Sequence, residues 1–296
     1  MRQFLCVLFA FAGQPATAEV PKVVTDIPPV YALVAQVMGD LGQPILLLEK
    51  GADEHDFQLR PSQMQVIADA GLVVWIGPEL TPWLTRALDA GSEARQLALL
   101  SDPETRVLSY PKEHGHEEGA HDHDGIDPHA WLNPENASIW TDLIAAELAL
   151  LDPENASIYV RNAGATKDKI AQLDAELGQI LAPLKSAGFV TYHQAYGYFA
   201  AHYGLAYLGA VASGDAATPG AERLVELQAE LRAGEVICAF PEAQHDPGLL
   251  EQILDSTTVR MGGAIDPVGS SLEPTPQAYE TLLRQLATTV SDCLKG

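Results

Sequence analysis

DPENASIYVRNAGATKDKIAQLDAELGQILAPL, residues 152–184, decides how this chain is organised. Asp152-Pro153-Glu154 reads as an N-cap, a proline at the first helical position and an acid in the first turn. Ile170, Leu173, Leu177, Ile180 and Leu184 then recur at spacings of 3, 4, 3 and 4, an apolar stripe along one helical face. Gly164 and Gly178 weaken the pattern, but cap and stripe together give one helix. From Pro153 to Pro183 it would run about 45 Å at 1.5 Å per residue. A helix of that length can join two bodies as a stiff strut, which a flexible linker could not.

On both sides of the strut, short β-branched runs alternate with helical patterns. Strand candidates are Lys22–Asp26, Ile45–Glu49, Leu72–Ile76 and Gln96–Leu100 before it, and Phe189–Tyr192, Tyr207–Val211, Val236–Phe240 and Thr258–Ile265 after it. Between them lie helical stretches such as Tyr31–Gly39, Pro61–Ala70, Ala221–Arg232 and Pro274–Leu294. Strand–helix alternation with four strands per half predicts two similar α/β domains with parallel sheets. The expected boundaries are an N-terminal lobe over 19–152, the linking helix over 153–185 and a C-terminal lobe over 186–296. Asn133-Pro134-Glu135 carries the same start signal as Asp152-Pro153-Glu154, and PENAS follows both caps as repeated helix-start chemistry.

The first 18 residues read as a secretory signal, with Arg2, an apolar run from Phe4 to Ala12, and Ala16-Thr17-Ala18 as a cleavage site. Cys6 lies inside the run, not at the cleavage point, so a lipid anchor is not expected. The expectation is a soluble, exported protein. Its net charge of −23 argues against nucleic acid as a partner and favours cations. Beyond the signal only Cys238 and Cys293 remain, and in an oxidising compartment they can pair across 55 residues. The rival reading is a two-thiolate metal site, although no histidine lies near either cysteine in sequence.

Four of the nine histidines, His114, His116, His121 and His123, fall in EHGHEEGAHDHD. The tract has no apolar residue larger than Ala, so it reads as a solvated loop, 113–124, that attracts divalent cations. Such a loop gives loose, auxiliary binding. Its bland alternative is a polar spacer. A better-defined site follows from parallel α/β topology, in which ligands bind beyond the carboxyl ends of strands. That rule selects Glu54 and His55 after the strand at Ile45–Glu49, His193 after Phe189–Tyr192, and Asp266 after Ile265. His129 joins them from the proline-bounded loop IDPHAW. Three imidazoles suit zinc better than manganese, and leave a tetrahedral zinc one donor short. Asp266, Glu54 or water could supply it. His202 and His245 read as structural or surface residues.

GADEHDFQLRPS, ADAGLVVWIGPELTPWL, DPHAWLNPENA, TYHQAYGYFAAHYGL and IDPVG occur in this order along the chain. Together they resemble the metal-binding proteins of bacterial ABC importers, cluster A-I, and its zinc branch most closely. That resemblance implies two (β/α)4-type domains joined by a long rigid helix, with one metal between them. It places the metal ligands at His55, His129, His193 and Asp266, and His193 stands where the manganese branch usually has Glu. It further implies a periplasmic, monomeric zinc carrier that serves an ABC permease and is not an enzyme. Two other readings compete. A secreted zinc hydrolase would also use three histidines, but His-Glu-x-x-His is absent, and HDHDG has Gly125 where a metallo-β-lactamase-like pattern needs Asp. A surface adhesin would want the anchoring cysteine this chain lacks.

Overall fold

Strands that are buried along their whole length need cover on both faces of a sheet. Four segments here meet that description almost completely, and they form the centres of two sheets. The computed structural model describes residues 20–110, 125–212, 221–232, 234–255 and 257–296. In chain order, the N-terminal half holds β1 (Val23–Thr25), α1 (Pro28–Met38), β2 (Ile45–Leu46), α2 (Pro61–Ala68), β3 (Leu72–Trp75), α3 (Pro82–Asp89) and β4 (Arg95–Ala98). Next come a small antiparallel hairpin, β5 (Leu108–Ser109) with β6 (Ile126–Asp127), then α4 (Pro134–Leu151) and α5 (Ala156–Leu181). The C-terminal half holds β7 (Gly188–Thr191), α6 (Gly197–Tyr203), β8 (Tyr207–Ala210), α7 (Ala221–Arg232), β9 (Val236–Phe240), α8 (Gly248–Leu254), β10 (Arg260–Met261) and α9 (Ala278–Lys295).

The first sheet runs β2-β1-β3-β4 and the second β8-β7-β9-β10, all parallel. The order is the same in both, with the first strand of each half flanked by the second and third. The expected α/β architecture is therefore present, with two four-stranded parallel sheets and a long helix between them. In this order the chain leaves the first strand in opposite directions, which opens a crevice at the carboxyl ends of β1/β3 and of β7/β9.

The strut differs from expectation at its ends. Pro153–Asn155 and Ala182–Leu184 are single 3-10 turns, so α5 spans 26 residues, roughly 39 Å. Asp152 does not cap it. Its Oδ2 accepts from Asn155 Nδ2 and from the Tyr159 hydroxyl, both at 2.8 Å, and so fixes the corner between α4 and α5. Asn133 does cap α4, accepting from the Glu135 amide at 2.9 Å. The buried face of α5 is Tyr159, Ala163, Thr166, Ile170, Leu173, Leu177 and Leu181, so Leu181 takes the place expected of Ile180.

This face packs against α1, α4 and α9, and one apolar core runs from β1 and α1 through the strut to β7 and α9. Polar ties reinforce it across the two halves. The Trp131 indole donates to Pro267 O, the Tyr279 hydroxyl to Trp131 O, and the Gly51 amide to Ser270 O. Gln36 Nε2 donates to Pro276 O and to Glu280. Burying indole and phenol groups with satisfied donors gives the halves a fixed relation. Cys238 on β9 and Cys293 on α9 form a disulfide, so neither sulfur is a thiolate available to a metal. Among the described residues no helix is long and apolar enough to cross a membrane. Residues 1–18 and the His-rich stretch 113–124 lie outside the described residues.

Candidate metal centre

Each loop that carries a histidine is held by its own short-range chemistry. After β2, pairing continues through the Leu47 and Leu48 amides to Thr25 O and Asp26 O, then the chain turns at Gly51 with φ of 76°. Such a positive φ is easy only for glycine. Asp53 Oδ1 accepts from the His55 amide at 2.8 Å, and the Trp83 indole donates to Glu54 O at 2.9 Å. These bonds aim Glu54 and His55 inward. His129 follows the β5–β6 hairpin, whose last residue, Asp127, accepts from both the His129 amide (3.0 Å) and His129 Nδ1 (2.8 Å). His193 lies two residues beyond β7, its carbonyl held by the Thr191 hydroxyl at 2.7 Å.

The three rings converge. Centroid separations are 5.3 Å for His55–His129, 5.8 Å for His55–His193 and 5.2 Å for His129–His193. Glu54, His55, His129 and His193 each offer one ligating atom, and those atoms all lie within 4.8 Å of one another. His129 is fully buried, and His193 and Glu54 nearly so.

Tutored by their carboxylate partners, two of these rings have defined lone pairs. A carboxylate oxygen in hydrogen-bond contact accepts, so the ring nitrogen facing it carries the proton. His129 Nδ1 faces Asp127, and His193 Nδ1 faces Glu242 Oε2 at 2.6 Å. Each ring then presents Nε2 as an acceptor, and the two Nε2 atoms face each other at 3.3 Å. Facing lone pairs at that separation repel unless a cation or a proton lies between them. Two nitrogens bound to one tetrahedral zinc at 2.0–2.1 Å would be roughly 3.3–3.4 Å apart.

Glu54 is the fourth member. Its Oε1 is buried with no hydrogen-bond partner, 3.8 Å from His55 Nε2. Burial pushes its carboxyl up to about 8, against a smaller lowering by His193. An anionic oxygen in such surroundings needs a cation as counter-charge.

Asp266 sits apart from this group. Its Oδ1 accepts from Gln244 Nε2, Gly269 N and Ser270 N, and its Oδ2 from the amide and hydroxyl of Ser271. Among the described residues, the two sets of donors able to share an ion do not include it. It braces the turn whose Pro267 and Ser270 carbonyls take the Trp131 indole and the Gly51 amide.

Two carboxylates that orient the rings of the site, Asp127 and Glu242, were not selected from sequence, and His245 lies beside them. Asp127 was within reach of the Asp-Pro-His string. Glu242 follows β9 by two residues as His193 follows β7, so the strand-order rule applied to the second sheet would have found it. His245, read with His202 as a structural or surface residue, stacks on Tyr192 at 4.5 Å and 22°, with Nε2 3.6 Å from Glu242 Oε2. His202 is structural, paired with Asp174 at 2.7 Å.

The family described as ZnuA, zinc-uptake complex component A periplasmic, matches residues 23–293. The chain is 45% identical over 315 residues to a high-affinity zinc uptake system protein of Paracoccus denitrificans, covering 98% of this chain and 97% of that one. It is 30% identical to the corresponding Brucella abortus protein, covering 97% and 96%. A solved structure of a zinc-bound ZnuA deletion mutant superposes with a TM-score of 0.79 at 25% identity, covering 93% of this chain and 98% of that one.

Proposed function

The chain belongs to the ZnuA family of periplasmic zinc-uptake components, and from that premise we propose that Glu54, His55, His129 and His193 together hold the one zinc ion it carries. It is a periplasmic zinc-binding protein that captures the ion and delivers it to an ABC permease. The observation that supports the four-residue site is the facing pair of Nε2 atoms at 3.3 Å, which matches the edge of a tetrahedral zinc shell. His55 and Glu54 supply the other two corners. Asp127 and Glu242 fix the tautomers and keep both rings aimed.

Three imidazoles and one carboxylate favour zinc over manganese, which prefers oxygen donors. With four protein donors the shell is closed. No position remains for the activated water a zinc hydrolase requires, so the protein acts as a carrier and not as an enzyme. Glu54 is the donor most readily given up, because a proton competes for its buried oxygen. The lobe boundaries, a monomeric state and no affinity for nucleic acid complete the proposal.

Single replacements His55→Ala, His129→Ala and His193→Ala, with zinc affinity measured under manganese competition, test it. Each should weaken zinc binding by well over tenfold while manganese competes poorly. Unchanged affinity in all three would refute the assignment.

A further inference from the structure

His193 has a second nitrogen, and a second group of ligands gathers around it. His193, Glu242 and His245 each offer one donor atom within 4.8 Å of the others. His245 Nε2 lies 3.6 Å from Glu242 Oε2, near the roughly 3.4 Å edge of a tetrahedral zinc shell. His193 Nδ1 and Glu242 Oε2 stand at 2.6 Å and would open by under 1 Å to admit an ion. A small cavity touches both groups, lined by Glu54 and His55 as well as by His193, Glu242, Gln244 and His245. Gln244 Oε1, buried and with no hydrogen-bond partner, is a further oxygen on that cavity.

Exposure orders the histidines along this path. The side chains are 0% exposed for His129, 5% for His193, 11% for His55 and 22% for His245. His245 is therefore the outermost, and the ring it stacks on, Tyr192, limits where it can turn.

We propose that His193, Glu242 and His245 form an outer zinc station, occupied in alternation with the inner site and handing the ion to it through His193. The inference rests on the inner site proposed above. A neutral imidazole offers one lone pair at a time. With Nδ1–H donated to Glu242, His193 Nε2 serves the inner site. With the proton on Nε2, that nitrogen donates to His129 Nε2 at 3.3 Å, and Nδ1 turns its lone pair to Glu242 and His245. Both tautomers have a hydrogen-bond partner in place, so the exchange needs no movement of the backbone. One ion at a time follows, because the two stations share the ring.

The test is zinc titration by calorimetry on the full chain carrying His55→Ala and His129→Ala, with and without replacement of His245. His245→Phe keeps a ring on Tyr192 and removes both nitrogens, and His245→Gln serves as a second variant. The double variant should lose the tight site and retain weaker zinc. Either His245 replacement in that background should lower the count by one zinc per chain. An unchanged count in both triple variants overturns the outer station. A tight zinc surviving in the double variant overturns the inner-site reading instead.

Discussion

The carboxyl ends of β1 and β7 stand at the same point in two sheets of identical strand order, and the chain puts different chemistry there. Past β1 sits Asp26, fully buried, whose two oxygens accept from the Ile27 and Ile76 amides at 2.8 Å each. It ties β1 to the end of β3 and has no free direction. Past β7 sits His193, and past β9 sits Glu242, bonded side chain to side chain through His193 Nδ1, with His193 Nε2 facing His129. The first strand end spends its carboxylate on two backbone amides, and the second turns a ring nitrogen toward His129. Topology thus offers two equivalent places for a ligand. Whether a site forms depends on what the side chain there has left over after satisfying the backbone.

The comparison breaks most severely if the histidines are not equal partners. His129→Ala and His193→Ala should each lower zinc affinity by about a hundredfold or more in competition titrations, since each leaves the shell with two imidazoles. Next in size are the carboxylates behind the rings. Glu242→Gln and Asp127→Asn should cost about 10–100-fold in affinity through lost aim and basicity. Asp26→Ala should leave zinc affinity unchanged and lower folding stability by about 2–3 kcal/mol in denaturant titrations, because two buried amides lose their acceptor. If Asp26→Ala weakened zinc as much as Glu242→Gln does, the two crevices would not be functionally distinct.

Smaller effects concern pH. Burial lifts Glu54 to about 8 and Asp26 to about 7. In the zinc-free protein both hold protons more tightly folded than unfolded, so their contribution is complete below about pH 4 and is lost progressively as pH rises from there through about 7 to 8. The melting temperature of the zinc-free protein should therefore fall between about pH 4 and about pH 8 and level off above. Zinc should remove Glu54's part of the fall, because it takes that carboxylate as an anion, and Glu54→Gln should flatten the slope similarly. At pH 7, zinc binding should release close to one proton more in the parent than in Glu54→Gln, read from calorimetry in buffers of different ionisation enthalpy. Smallest of all is Asp266→Asn, expected to change affinity by only about a few-fold, since it acts through a turn braced by several bonds.

Much of this was legible in the sequence because it is local or periodic. The α5 stripe, the β-branched runs and the cap at Asn133 each carry their own signal within a few residues. His55, His129 and His193 were reachable because strand ends and a proline loop mark them. The β5–β6 hairpin was not, since two-residue strands show no alternation to read. Glu242 was hidden among 40 acidic residues, at a sequence separation of 49 from the ring it orients. Asp266 lies where the strand-end rule sends it, yet the Gly269-Ser270-Ser271 turn that follows offers amides enough to engage both of its oxygens. A strand-end carboxylate followed by such a turn can be a turn anchor as readily as a ligand.

The most direct test of the central claim is zinc K-edge absorption on the full chain loaded with one equivalent of zinc. The account predicts four light-atom donors near 2.0 Å, with multiple scattering from three imidazoles, and loss of one oxygen donor in Glu54→Gln. Two or fewer imidazoles in the parent spectrum, or an oxygen shell unchanged by Glu54→Gln and altered by Asp266→Asn, would contradict it.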